Sequence, residues 1–119
     1  MSSARLPRLI LGGEADFARW LKRVMALLGV HGFHIRESEG ALEGVIKSDA
    51  FGIPDWYIWR EGDGGDDTGW HMWRELKTDE GRLTPMQTLM HLSMRRAGED
   101  VDVWRPRDQE RILAELRRE

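Results

Sequence analysis

The chain has 119 residues, a formal net charge of −3 and no cysteine, a length that suits one compact domain and is too short for two of ordinary size. Lack of cysteine excludes disulfides and thiolate metal sites, which leaves carboxylate, histidine and backbone oxygen as metal ligands and favours hard, oxygen-preferring cations. No apolar run is long enough to span a bilayer and Met1 to Pro7 lacks the apolar stretch of a secretory signal, so a soluble, cytoplasmic single domain over residues 1–119 is expected, opening with a basic leader at 1–12.

In chain order, Phe17, Trp20, Leu21, Val24, Leu27 and Leu28 recur at helical spacing ahead of Gly29, which predicts a helix over about residues 14 to 29. A strand is expected at 32–36, and 37–51, with glycine, serine and charge but weak periodicity, reads mainly as loop. Two aromatic and β-branched runs follow, at 52–59 and 70–77, the first entered through Pro54 as suits a strand start. The glycine-rich segment 61–69 joins them and is expected to be a mobile, solvated hairpin tip. Its acids, Glu61, Asp63, Asp66 and Asp67, lack the spacing and terminal glutamate of an EF-hand.

Beyond a turn at 78–83, Thr84-Pro85-Met86-Gln87 carries an N-cap, a proline at the first helical position and a glutamine three residues after the cap, so a second helix starts there and closes at Gly98. Residues 101–104 alternate as a short strand, Pro106 stops it, and Asp108 is expected to cap a last helix with Ile112, Leu113 and Leu116 on its apolar stripe. The order α-β-β-β-α-β-α contains a strand-helix-strand crossover and predicts an α/β fold, a small mixed sheet flanked by helices.

The chemistry concentrates in the two aromatic runs. Side chains alternate across a strand, so Glu75 and Lys77 point the same way, and pairing of the two runs as a hairpin brings Asp55 to Glu75. Two carboxylates beside one amine suit phosphodiester hydrolysis: Asp55 and Glu75 suffice to anchor Mg²⁺ or Mn²⁺, the Leu76 carbonyl adds a ligand, and Lys77 orients or deprotonates water and stabilises developing charge. Taken singly, Asp55 also reads as a turn residue, and Glu75 with Lys77 as a solvated pair; the joint pattern carries the site. His34 and His71 read as structural strand residues, with His71 on the predicted face of Glu75 and Lys77. Trp56, Tyr57, Trp59, Trp70, Trp73 and Trp104 read as core or interface material, one or two of them available to stack on bases. Removing the four hairpin acids from the net of −3 leaves +1 for the rest, and the pairs Lys22-Arg23, Arg95-Arg96, Arg117-Arg118 and Arg105 with Arg107 are candidate phosphate contacts.

Three blocks, Gly52-Ile-Pro-Asp-Trp56, Trp73-Arg-Glu-Leu-Lys-Thr-Asp-Glu-Gly-Arg-Leu-Thr-Pro-Met-Gln87 and Gly98-Glu-Asp-Val-Asp-Val-Trp-Arg-Pro106, resemble the VRR-NUC family of the PD-(D/E)xK nuclease superfamily, over nearly the whole chain from Glu14 on. The resemblance implies a restriction-endonuclease-like core, Asp55 and Glu75 as metal ligands, Lys77 as catalytic lysine, Gln87 as the motif glutamine and Glu14 as the acid that opens the first helix. Gln87 also reads as a capping-box residue and Glu14 as an acid at the positive end of a helix, which leaves both roles open. Stand-alone members occur in phages and bacteria, resemble Holliday junction resolvases and act as homodimers, so the resemblance implies a homodimer here. The expected function is a metal-dependent, structure-selective endonuclease acting on branched DNA. The alternatives are a catalytically inactive nucleic-acid-binding module that keeps the nuclease fold, and a small interaction protein that uses its aromatic residues as a protein interface.

Overall fold

The structure, a computed structural model, describes residues 6–9, 13–35 and 52–118. The loop expected at 37–51, Arg36 and most of the basic leader lie outside the described residues. Helix α1 (Glu14–Leu28) ends one residue short of the expected range because Gly29 takes a left-handed φ of 71° as its cap, and the Val30 N–H donates to the Met25 carbonyl, the usual way of satisfying terminal carbonyls. The predicted stripe holds: Phe17, Trp20, Leu21 and Val24 are buried, whereas Leu27 is exposed and Met25 takes its place in the core.

Four strands follow the order β1 (His31–His34), β2 (Trp56–Glu61), β3 (Gly69–Leu76) and β4 (Val101–Trp104), hydrogen-bonded in that sequence. β1 starts a residue before the predicted strand. The pairs β1·β2 and β2·β3 are antiparallel and β3·β4 is parallel; a parallel pair needs a crossover, supplied here by helix α2 (Pro85–Arg96). The predicted α/β order and the mixed sheet are therefore both present.

One sheet face carries Trp56, Ile58, Met72, Leu76 and Trp104, which pack against α1 and helix α3 (Gln109–Arg117) to form the core. Asp108 does not cap α3 through its side chain. Pro106–Asp108 form a 3-10 turn first, and the Asp108 carboxylate accepts the Arg105 N–H at 2.9 Å instead, because the proline ring cannot donate to the ladder and the chain tightens before the helix begins. The 61–69 connection is the expected exposed hairpin tip, and it is held by bonds: Asp63 Oδ1 accepts the N–H of Gly65 at 2.7 Å, and Arg60 forks onto both oxygens of Asp67 at 2.9 and 3.1 Å. Among the described residues no helix is long and apolar enough to cross a membrane.

Arg74 breaks the apolar pattern of the core face. It is 2% exposed, and its guanidinium bonds to Asp100 at 2.9 Å and to Glu115 of α3 at 2.9 Å, with the Trp104 indole donating to the same Glu115 oxygen. Without Arg74, Asp100 keeps Arg118 at 3.0 Å and Glu115 keeps Arg111 at 2.8 Å, so Arg74→Ala removes charge-assisted bonds without leaving a bare buried charge and is expected to lower stability by about 1–3 kcal/mol, with Arg74→Met losing less; urea unfolding of the two variants measures both.

Candidate active site

The site forms at one end of the sheet, and the register explains why. β1 pairs with β2 through His34 opposite Trp56, and β2 with β3 through Trp56 opposite Arg74. One residue past the paired stretch, the Ile35 N–H donates to the Asp55 carbonyl at 2.7 Å, and Asp55, just ahead of β2, is held at the end of β3 where Glu75 stands. The approach to Asp55 is held from α2. Gly52 has φ 74°, and a Cβ there would lie 2.3 Å from the Met86 carbonyl oxygen, so only glycine lets the 52–55 turn pass so close to the first turn of the helix. Pro54 is buried behind it.

The predicted residues converge. Asp55 Oδ1 accepts the Leu76 N–H at 3.1 Å, so Leu76 enters the site through its amide while its side chain lies in the core. Lys77 Nζ lies 3.9 Å from Glu75 Oε2, which confirms the shared face. Gln87 caps the helix as one of its two readings expected, its Oε1 accepting the Thr84 N–H at 2.9 Å in a complete capping box, and its Nε2 also donates to Glu75 Oε2 at 3.3 Å. Glu14, exposed at the first position of α1, makes no hydrogen bond among the described residues, but its charge reaches both Asp55 and Glu75.

Two histidines need reassignment. His71 shares the face of Glu75 but stands four positions back along β3, where its Nε2 lies 3.1 Å from Glu99 rather than at the carboxylates. His34 is the histidine at the carboxylates, 3.7 Å from Asp55 Oδ2 and stacked on Trp56 with ring centroids 4.7 Å apart. His91, one helical turn after Gln87, is buried with no partner for either ring nitrogen among the described residues, and burial first, then Arg95, holds its pKa low, with Lys77 contributing in the same direction. The i, i+4 spacing from Gln87 was the sequence signal for it.

The basic pairs divide. Arg105 bonds the carbonyls of Thr78 and Gly81, both at 2.6 Å, and the Arg107 amide donates to Asp79; these fix the turn that follows Lys77 and are not free phosphate contacts. Arg95 bonds the Val101 carbonyl, and Arg118 pairs with Asp100 and lies over Trp70. Lys22 and Arg23 line a groove of about 740 Å³ with Arg8, Arg19 and Trp20.

Burial raises the Asp55 carboxyl to about 6, against its bonds to the Leu76 and its own backbone N–H. Burial and then the Asp55 charge raise Glu75 to about 7, with Lys77 opposing. Glu75 Oε1 is buried with no hydrogen-bond partner among the described residues, an acceptor that a cation or donor would satisfy. The chain matches no protein-family model, no curated protein and no solved structure. The functional reading rests on this site.

The raised values fix the pH dependence of the ion-free fold. Between about pH 4 and 7 the folded state holds more protons than the unfolded chain, so stability falls as pH rises through that window. Ion-free protein is therefore expected to melt at a lower temperature at pH 8 than at pH 5.5, and a divalent cation to raise the pH 8 value most. Thermal melts in chelator and in Mg²⁺ or Mn²⁺ check this; a melting temperature that rises from pH 5.5 to 8 in chelator contradicts it.

Proposed function

We propose that this protein is a metal-dependent DNA endonuclease of the PD-(D/E)xK type, a VRR-NUC-like enzyme with a restriction-endonuclease-like core that hydrolyses phosphodiester bonds in branched DNA. The observation that carries the reading is the pairing of Asp55 with Glu75, whose Oε1 is buried and unpartnered, 3.9 Å on its other oxygen from Lys77. Buried Glu75 and partly buried Asp55, raised to about 7 and about 6, repel one another and hold a share of a proton near pH 7; a hard dication in its place relieves both.

The donor set fits such an ion. Among the described residues no three His, Asp or Glu side chains form a metal-binding group, and Mg²⁺ asks for only one or two carboxylates, the remaining positions going to water, a carbonyl such as that of Leu76, and substrate oxygens. A bound Mg²⁺ or Mn²⁺ would acidify a water, neutralise phosphate charge and assist the leaving oxygen. The chain does the rest. The Leu76 N–H fixes Asp55, Gln87 fixes Glu75, and Lys77 supplies a positive charge where the attacked phosphate gains negative charge. The first turn of α2, which carries Gln87, adds partial positive charge beside Glu75.

The test offers branched, flapped, single-stranded and duplex DNA to the purified protein with Mg²⁺ or Mn²⁺. Cleavage of branched DNA that needs the ion is the expected result. If every substrate is bound but none is cut, the chain is a binding module that keeps a nuclease-like site.

A further inference from the structure

The face of the sheet that bears Glu75 also carries two rows of aromatic rings. Strand register sets His31, Trp59 and His71 side by side across β1, β2 and β3, and Phe33, Tyr57 and Trp73 in the next row. Glu75 follows Trp73 two residues on along the same face of β3, and Asp55 directly precedes β2, so the rings run along the strands toward the carboxylates. They touch: Tyr57 lies 4.7 Å from Trp73 and 5.4 Å from Trp59 between centroids, and Trp59 stacks on His31 at 5.2 Å. Helices α1 and α3 cover the opposite face. Phe33 is 61% exposed, and Tyr57, Trp59 and Trp73 are only partly buried.

These rings have no place in the core, and their positions are held. Glu99 accepts from the Trp73 indole at 2.9 Å and contacts His71 at 3.1 Å, and those two bonds keep its carboxyl below the usual range. Glu99 is thus ionised, and Glu61 flanks the rings at the hairpin end beside Trp59. Acidic groups around exposed rings repel phosphate and leave neutral, planar groups as the favoured contact. Every nucleobase presents such a surface, and stacking on aromatic side chains of a sheet is tolerant of sequence.

We propose that this aromatic face stacks unpaired bases of the DNA strand whose phosphodiester lies at Asp55 and Glu75, so the preferred substrate carries a single-stranded segment beside the cut. The identity of the ligand rests on the nuclease reading. A duplex, with phosphates outermost, gains little from this face. An unpaired strand turns its bases onto the rings and its phosphates to solvent. Trp59 and Phe33 are the contacts to test, since neither belongs to the core.

The test uses the full chain without divalent ions, a short oligothymidylate and a blunt duplex, with tryptophan fluorescence and polarisation of labelled DNA as readouts. Trp59→Leu is expected to weaken oligothymidylate binding roughly tenfold and to leave duplex affinity unchanged, Trp59→Phe to keep most of it, and Phe33→Ser, chosen for its exposure, to weaken it with an unaltered melting temperature. Equal affinity of wild type, Trp59→Leu and Phe33→Ser for oligothymidylate overturns the proposal. So does sedimentation in which these variants turn a dimer into a monomer with unchanged affinity, which assigns the face to a second copy. A separate Mg²⁺ cleavage assay keeps the two readings apart: ring-dependent binding without cleavage sinks the nuclease and leaves the platform, whereas cleavage indifferent to the rings does the reverse.

Discussion

Lys77→Ala is expected to slow single-turnover DNA cleavage by roughly 10²–10³ with no loss of folding. Lys77 projects from the end of β3, is 18% exposed, and has its Nζ 3.9 Å from Glu75 Oε2. Its backbone N–H donates to the Trp104 carbonyl at 3.1 Å, but its side chain makes no hydrogen bond among the described residues, so truncation removes a charge from the site and little packing. Its charge also lowers the pKa of both Asp55 and Glu75. Without it the carboxyls hold their protons to higher pH, and the residual activity should need more alkaline conditions to reach its plateau. Rate against pH for wild type and variant measures both effects, with melting temperature as the control. Lys77→Arg should not restore the rate, because a planar guanidinium does not reproduce a compact ammonium. Full activity in Lys77→Ala would remove the lysine from the mechanism.

Asp55→Asn is expected to abolish cleavage and to stabilise the ion-free fold at pH 8. The two effects have one origin. The asparagine carbonyl still accepts the Leu76 N–H that Asp55 takes at 3.1 Å, while the charge that raises Glu75 is gone. At about 1.4 kcal/mol for each pH unit by which folding displaces a pKa, losing one member of the pair removes a substantial destabilising contribution. The variant should therefore melt higher than wild type in chelator and gain nothing from Mg²⁺. Melting curves in chelator and in Mg²⁺ separate this from simple misfolding, which would lower the melting temperature in both.

Asp55, Glu75 and Lys77 were legible in the sequence because strand alternation and a hairpin are short-range rules, and the hairpin needs only the pairing of neighbouring strands. Gln87 was legible for a similar reason: the Thr84-Pro85 start fixes its place on the first turn of α2, and α2 is the crossover that must pass over the end of β3. His34 was not. Its approach to Asp55 depends on the register of β1 against β2, across a connection of more than twenty residues, and sequence alternation alone favoured His71 instead. His91 required knowing which face of α2 meets the sheet. Arg74 looked like any strand arginine until Asp100 and Glu115 of α3, distant in sequence, closed around it. The aromatic rows are also a product of register: each run shows its tryptophans and tyrosine, but only pairing across three strands lines them up beside the carboxylates. The capping role expected of the Asp108 side chain failed because that carboxylate closes a local bond to the Arg105 N–H, which competes with the simpler pattern of a cap.

The most direct measurement is calorimetric titration of Mn²⁺ into the ion-free wild type and Asp55→Asn at pH 6 and at pH 8. The carboxylate pair predicts a saturable site in the wild type that binds more weakly at pH 6 and releases protons as it fills there, because Glu75 and part of Asp55 are then protonated. Asp55→Asn should show no such site. Binding that is unchanged in Asp55→Asn, or no saturable binding to the wild type at either pH, would contradict the assignment of Asp55 and Glu75 as the metal-holding pair.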